Sequence, residues 1–394
     1  MIFMMRRFNH TILQVIPSLD AGGAERTTLE IATAIVKAGG RALVASRGGR
    51  LARDIELAGG EFIALPVHAK NPLTMWMNAG RLTKLIRDKG VDLIHARSRA
   101  PAWSALLASK RTDVPFVTTY HGAYRSGGPL KRYYNSSMLR ADCVIANSRY
   151  TGEAIANLGV IEPQRLRVIP RGADLDVFDP AGISDKRVNR ILENWGIVGE
   201  KGRFRVLLPG RLTPWKGHEL AIEAMAQLKS QSASGNEDGL TLVFCGGAQG
   251  RSDYETALRA LIDQRGVRDM VHLVGDCADM PAAYAWANLV IAPSTRPEAF
   301  GRVAVEAGAM EKPVIAANHG GAAETVMDGK SGILVAPGDA TILAGAIERV
   351  WRMTPETRAA MGRNGRARAA SVYSASAMCD STLRVYSDLL AGGE

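Results

Sequence analysis

The chain has 394 residues, 46% of them hydrophobic and 22% charged, the composition of an ordinary soluble protein, and it is too long for one typical core. Two domains of about 180 residues each are the natural expectation. The net charge of +10 lies wholly in the first half: residues 1–180 hold 25 Lys+Arg against 15 Asp+Glu, and the remainder holds 24 against 24. Such a half is either a plain solvated surface or the side that meets an anionic partner, namely nucleic acid, an anionic leaflet or a phosphorylated lipid.

Met1 to His10 leads into the short apolar stretch Thr11–Leu19 with no small-residue cleavage site, so the opening reads as a strand and not as a signal peptide. No apolar run approaches the ~18 residues of a membrane span. Cys143, Cys245, Cys277 and Cys379 have no metal or redox spacing and read as reduced, mostly buried thiols of a cytoplasmic protein.

In chain order, strand-like runs fall at 11–17, 41–46, 61–66, 91–96, 114–119, 142–147 and 166–169. A second series follows at 204–209, 240–245, 271–274, 289–292, 313–317 and 332–335. Many are apolar without alternation, as strands covered on both faces must be. Helical patterns separate them at 24–37, 78–89, 102–110, 219–230, 254–265 and 302–309. This alternation predicts an α/β protein of two Rossmann-like, doubly wound parallel domains. The polar stretch 179–201, with a short helix over 186–195, is the expected boundary, giving domains 1–180 and 200–372 and a helical tail 373–394. The Arg-rich piece 358–368 reads as a solvated helix face.

The candidate chemistry lies at strand exits. Gly22-Gly23 follows the first strand, where a glycine pair lets backbone amides approach a ligand at a helix start. Neither a Gly-x-Gly-x-x-Gly nor a Gly-Lys-Ser/Thr motif is present. His121 stands where a strand leaves the sheet and can hydrogen-bond a sugar hydroxyl or a phosphate. Further exits carry Asn147-Ser148, Arg171-Gly172-Ala173-Asp174 and His319-Gly320-Gly321. Asp174-x-Asp176 lacks a third ligand, so no metal site is expected.

In the second half, Gly210-Arg211 and Lys216-Gly217 place two cations at a strand end, suited to neutralising a diphosphate leaving group without a metal. The most informative stretch is Pro297-Glu298-Ala299-Phe300-Gly301 running to Glu306. Pro297 and Gly301 predict a helix starting near Phe300 or Gly301, with Glu298 in the loop before it. Free amides at that helix end suit a phosphate or sugar oxygen, and Glu306 suits a vicinal diol such as ribose.

Taken together, Gly22-Gly23-Ala24-Glu25-Arg26, Gly210-Arg211 with Lys216-Gly217, and Glu298-Ala299-Phe300-Gly301 with Glu306 resemble the GT-B glycosyltransferases of family 4, the group 1 enzymes. The resemblance spans nearly the whole chain, through Gly332–Asp339. It implies two Rossmann-like domains facing across a cleft, with a last helix crossing back onto the first. It also implies retaining transfer of a hexosyl unit from a UDP- or GDP-linked sugar to a glycan or lipid-linked acceptor, without cofactor or metal. The setting it suggests is synthesis of lipopolysaccharide core, exopolysaccharide or glycolipid, in the cytoplasm or peripherally on the inner membrane face.

By this likeness Arg211 and Lys216 grip the diphosphate, Gly22 and Gly23 present amides near it, and Glu306 holds the ribose. Glu298, Phe300 and Gly301 meet the donor sugar; His121 lines the acceptor side, with Arg171, Ser148 and Asp174 about the cleft. Arg171 departs from the Asn common at that place in the family, which leaves its role open. Tyr124, Arg125, Lys131, Arg132, Tyr133 and Tyr134 form a candidate membrane or acceptor loop. A nucleotide-sugar epimerase would need clustered carboxylates facing the sugar, and the first half has none. A non-catalytic nucleotide- or glycan-binding protein would be expected to have lost one of the charged pairs. No recognition module or stacking platform supports a nucleic-acid partner.

Overall fold

The computed structural model describes residues 8–20, 22–122, 128–158, 161–197, 202–231 and 239–392. The chain divides into two units: unit 1 is residues 1–171 with 375–394, and unit 2 is residues 172–374.

Unit 1 holds seven strands: β1 Thr11–Val15, β2 Arg41–Ser46, β3 Glu61–Ala64, β4 Leu93–Ala96, β5 Phe116–Tyr120, β6 Cys143–Ala146 and β7 Leu166–Val168. Its first helices are α1 Gly23–Lys37, α2 Ala52–Leu57, α3 Pro72–Lys89, α4 Arg99–Thr112, α5 Pro129–Ser136 and α6 Arg149–Ala156. The sheet is wholly parallel, in the order β3-β2-β1-β4-β5-β6-β7. Every residue of β1, β4, β5 and β6 is buried, which is why these runs show no apolar-polar alternation.

Unit 2 holds α7 Asp185–Trp195, β8 Phe204–Pro209, α8 His218–Gln231, β9 Leu240–Cys245, α9 Ser252–Gln264, β10 Val271–Gly275 and α10 Met280–Trp286. There follow β11 Leu289–Ala292, α11 Arg302–Ala309, β12 Val314–Ala317, α12 Ala322–Thr325, β13 Gly332–Val335, α13 Ala340–Trp351 and α14 Pro355–Val372. Its parallel sheet runs β10-β9-β8-β11-β12-β13. The last helix, α15 Ala375–Ala391, belongs to unit 1, where Met378, Leu383, Val385 and Tyr386 share a core with Ile12, Ile31 and Ile35.

Each sheet reverses its direction of growth once, between β1 and β4 and between β8 and β11. Crevices outside the carboxyl ends of strands at such reversals are where open α/β sheets bind ligands.

Two expectations need correction. The break between units falls at 171/172 and not in the polar stretch 179–201, because α7 is held to unit 2. Arg187 clasps Asp279 with bonds of 2.8 and 2.7 Å, and Trp195 packs edge-on against Trp286. The Arg-rich piece in α14 is not simply a solvated face. Arg366 donates to the carbonyls of Phe178 and Ala309 and pairs with Asp179, while Arg368 donates to the Glu324 carbonyl. Long side chains reach these carbonyls because α14 crosses α11 closely at Gly308 and Gly365. Among the described residues no helix is long and apolar enough to cross a membrane.

Candidate functional site

The reversal point of unit 2 gathers most of the charged residues singled out in its sequence. The loop after β8 carries Arg211 and Lys216; the loop after the neighbouring β11 carries Ser294 and Glu298. The loops are stitched together by Thr295 N–H donating to the Trp215 carbonyl at 2.8 Å. Gly217 makes this possible: it has φ +81°, and a Cβ there would lie 2.2 Å from the Pro293 carbonyl oxygen.

Across this seam Lys216 Nζ donates to Glu298 Oε1 at 2.8 Å, with both side chains only 13% exposed. The ammonium also lies 4.7 Å from the centre of the Trp215 ring, and Ser294 Oγ donates to the same Glu298 oxygen. A lysine ammonium has three donors, so the pair still leaves it capacity for an anion. Glu298 is fixed from behind as well, since Gly321 N–H donates to its carbonyl at 2.7 Å. Arg211 is more open, with Gln249 Oε1 at 3.4 Å as its side-chain contact.

α11 starts after Gly301, which caps it without a side-chain hydrogen bond. One turn in, Glu306 is nearly buried; Arg302 Nε donates to its Oε1 at 2.6 Å and Tyr284 Oη to its Oε2 at 2.8 Å. Burial, reinforced by the Glu306 carboxylate, pushes the Tyr284 phenol far up, so it stays a donor. Glu306 is thus oriented on both oxygens before any ligand arrives. The Phe300 ring does not face outward: it is buried against Tyr373 in the core.

In unit 1, Gly22 and Gly23 open α1, again without a side-chain cap. His121 follows β5, and Arg171, beyond β7, donates to its Nδ1 through Nη2. Arginine has only donors, so Nδ1 carries the lone pair and the ring proton sits on Nε2. Burial, with Arg171, Arg97 and His95 adding like charge, holds the imidazole well below its ordinary pKa, so it is neutral near pH 7.

Two residues expected about the cleft are occupied locally. Ser148 caps α6, accepting from Thr151 N–H at 2.9 Å, and Asp174 closes a turn by accepting from the amides of Asp176 and Val177. The sequence reading passed over Tyr284, Ser294, Arg302, His95 and Arg97. Of these only Arg97 and Ser294 stand just past a strand end; His95 lies within β4, Tyr284 within α10 and Arg302 at the start of α11. A cavity of about 620 Å³ between α7 and the Asp276–Asp279 loop contains none of the predicted residues.

Residues 21–177 match the family described as Glycosyltransferase Family 4, and residues 193–368 match Glycosyl transferases group 1. A D-inositol 3-phosphate glycosyltransferase from Acidothermus cellulolyticus is 32% identical over 343 residues, spanning 83% of this chain and 73% of that protein. The chain belongs to the group 1, family 4 glycosyltransferases. A solved glycosyltransferase from Rickettsia africae superposes with a TM-score of 0.88 at 31% identity, covering 97% of this glycosyltransferase and 99% of that chain. Anabaena HepE, solved in complex with UDP and glucose, superposes with a TM-score of 0.80 at 27% identity, covering 95% and 99%. The fold, two parallel α/β sheets of seven and six strands, is GT-B.

Proposed function

We propose that this glycosyltransferase moves a hexosyl unit, with retention, from a UDP- or GDP-linked sugar to a glycan or lipid-linked acceptor in the assembly of a bacterial surface glycan such as lipopolysaccharide core. The observation that carries the reading is the arrangement at the reversal point of unit 2. A cation for the diphosphate, Lys216, is seated on Glu298, and a pre-oriented diol acceptor, Glu306, lies on the helix that begins just beyond.

Arg211 and Lys216 would stabilise the departing diphosphate, so no metal is required. Glu306 would bind the ribose hydroxyls, and Glu298 with the backbone of Phe300 and Gly301 the donor sugar. Retention follows if the acceptor attacks the face the diphosphate leaves, its proton passing to a departing phosphate oxygen. His121, neutral and with its Nε2 proton uncommitted, and Arg171 serve the acceptor side; Gly22 and Gly23 offer amides. Ser148 and Asp174 contribute by shaping strand exits.

The test is release of nucleoside diphosphate on adding acceptor, in buffer with and without a chelator. Glu306→Ala and Lys216→Ala should each reduce turnover by about 10²-fold, since each removes a charged contact of about 3 kcal/mol. Near-normal turnover in both variants refutes the site; loss of turnover with chelator refutes metal independence.

We further propose that unit 1 rests on an anionic membrane through α3 and α5. Both flank α4: Ser104 Oγ donates to the Met75 carbonyl, and Trp103 packs on Tyr133 and donates to the Tyr134 carbonyl. Leu73, Trp76, Leu130 and Tyr133 are all at least 60% exposed there, with Lys131 and Arg132 exposed among them. Tyr124 and Arg125 lie outside the described residues. Lys131→Glu with Arg132→Glu should abolish sedimentation with phosphatidylglycerol vesicles at low salt; unchanged binding overturns the proposal.

A further inference from the structure

Unit 1 contains a row of buried polar groups that its fold leaves unsatisfied. Ala96 of β4 pairs with Thr118 of β5, and Tyr120 of β5 with Ala146 of β6. In parallel strands with a period of two, this register puts Arg97, His121 and Asn147, the residues just past the three strand ends, on one face of the sheet. Arg97 is 2% exposed and Asn147 1%. Arg97 Nη2, His121 Nε2 and both Oδ1 and Nδ2 of Asn147 are buried without a hydrogen-bond partner among the described residues.

The surroundings account for only part of this row as a structural network. Arg97 Nε donates to Gln14 Oε1 at 2.6 Å, and Gln14 in turn donates to the Thr28 carbonyl, so that arm is complete. His95 is complete too, bonded to the Tyr386 hydroxyl at 2.6 Å and Thr119 Oγ1 at 2.7 Å. The Tyr386 hydroxyl, itself neutral, is a hydrogen-bond partner of the Arg97 guanidinium, and no carboxylate forms an ion pair with Arg97 among the described residues; Glu30 of α1 is only a weak influence and stands 3.6 Å from Arg26. A buried guanidinium with no anion is among the costliest groups a fold can hold. Arg171, beside His121, adds more positive charge and no acceptor.

We propose that Arg97, His121 and Asn147 form a subsite for an oxyanion carried by the acceptor, a phosphate or carboxylate on the molecule that receives the sugar. The chemistry matches: at least three N–H donors and a fixed positive charge converge, with a single acceptor, Asn147 Oδ1, suited to a neighbouring hydroxyl. The inference rests on the reading that unit 1 receives the acceptor, and it adds that the acceptor is anionic near its reacting end.

The test uses the full chain in calorimetric titrations with glucose 6-phosphate, glucuronate and methyl glucoside, with UDP and GDP as a separate arm. Saturable binding of one or both anions, and much weaker binding of the neutral glucoside, is expected; which anion binds identifies the oxyanion. Arg97→Met should weaken anion binding about 10–100-fold, and Asn147→Ala about 10-fold, with nucleotide binding unchanged.

A structural role predicts the opposite pattern for Arg97→Met, a lowered melting temperature with unchanged anion affinity. If Arg97→Met fails to fold, Asn147→Ala decides. The proposal is overturned if no anion saturates, if the glucoside binds as well, or if both variants keep wild-type affinity. Anion binding without any sugar transfer would instead refute the proposed function and leave the subsite standing.

Discussion

The Lys216–Glu298 pair supports a prediction that separates a ligand site from an ordinary salt bridge. With a nitrogen–oxygen distance of 2.8 Å and side chains only 13% exposed, each partner neutralises the other where a diphosphate would arrive. Lys216→Met removes a charge-assisted contact of about 1.5–3 kcal/mol, a loss of about 10–100-fold in affinity for UDP or GDP. It also leaves the Glu298 carboxylate facing the incoming phosphates with Ser294 Oγ as its side-chain donor, a further penalty of about 1 kcal/mol. Glu298→Gln by itself therefore leaves nucleotide binding near wild type while sugar transfer falls. The double variant should bind nucleoside diphosphate about fivefold better than Lys216→Met, because the repulsion is gone. Titration calorimetry on the four proteins completes the cycle. Effects that add to within about 0.5 kcal/mol would show that Glu298 and the diphosphate do not share Lys216, and the reasoning fails.

Acid should weaken the fold through its buried histidines. His218 is fully buried, and that burial brings its pKa down to about 4. The unfolded chain takes up the same proton near 6.5, so stability present above that pH is lost as pH falls toward 4. The loss reaches about 2 kcal/mol at pH 5 from His218 alone, and His95 and His121 act in the same direction. A urea midpoint that does not move between pH 7 and pH 5 would contradict this. At the α11–α14 crossing, a Cβ on Gly362 would lie 1.9 Å from the Glu311 carbonyl oxygen, so Gly362→Ala should cost about 2 kcal/mol or more. Gly345→Ala, in the exposed interior of α13 with nothing within 4 Å, should instead stabilise by about 0.5–1 kcal/mol; equal melting temperatures for the two variants would refute the packing argument.

The strands were readable from sequence because burial on both faces writes itself locally, as in Leu289–Ala292 or Leu240–Cys245. The helix entered through Gly301 was equally legible, since its signals lie within a few residues. What escaped depends on distant partners. Arg97 sits in Ala96-Arg97-Ser98-Arg99, which looks like surface charge, and it is buried on the sheet face where α15 brings Tyr386 to His95. Arg366 resembled a solvated residue until Asp179, 187 positions away, came within 3.1 Å. The family likeness places Phe300 at the donor sugar, and sequence does not tell that its ring turns into the core. The polar stretch 179–201 suggested a linker by composition, whereas the bonds from Arg187 to Asp279 are invisible in it.

The placement of α15 has a consequence for how the protein comes to exist. Unit 1 is assembled from two stretches of chain with the whole of unit 2 translated between them. As the chain leaves the ribosome, α1 must wait with Ile31 and Ile35 uncovered and His95 lacking its tyrosine until α15 arrives. Unit 2, by contrast, is contiguous and free to complete itself first. A stop codon just after unit 2 would therefore spoil the half that was made earliest, leaving a finished second unit attached to a first whose core is open on one side.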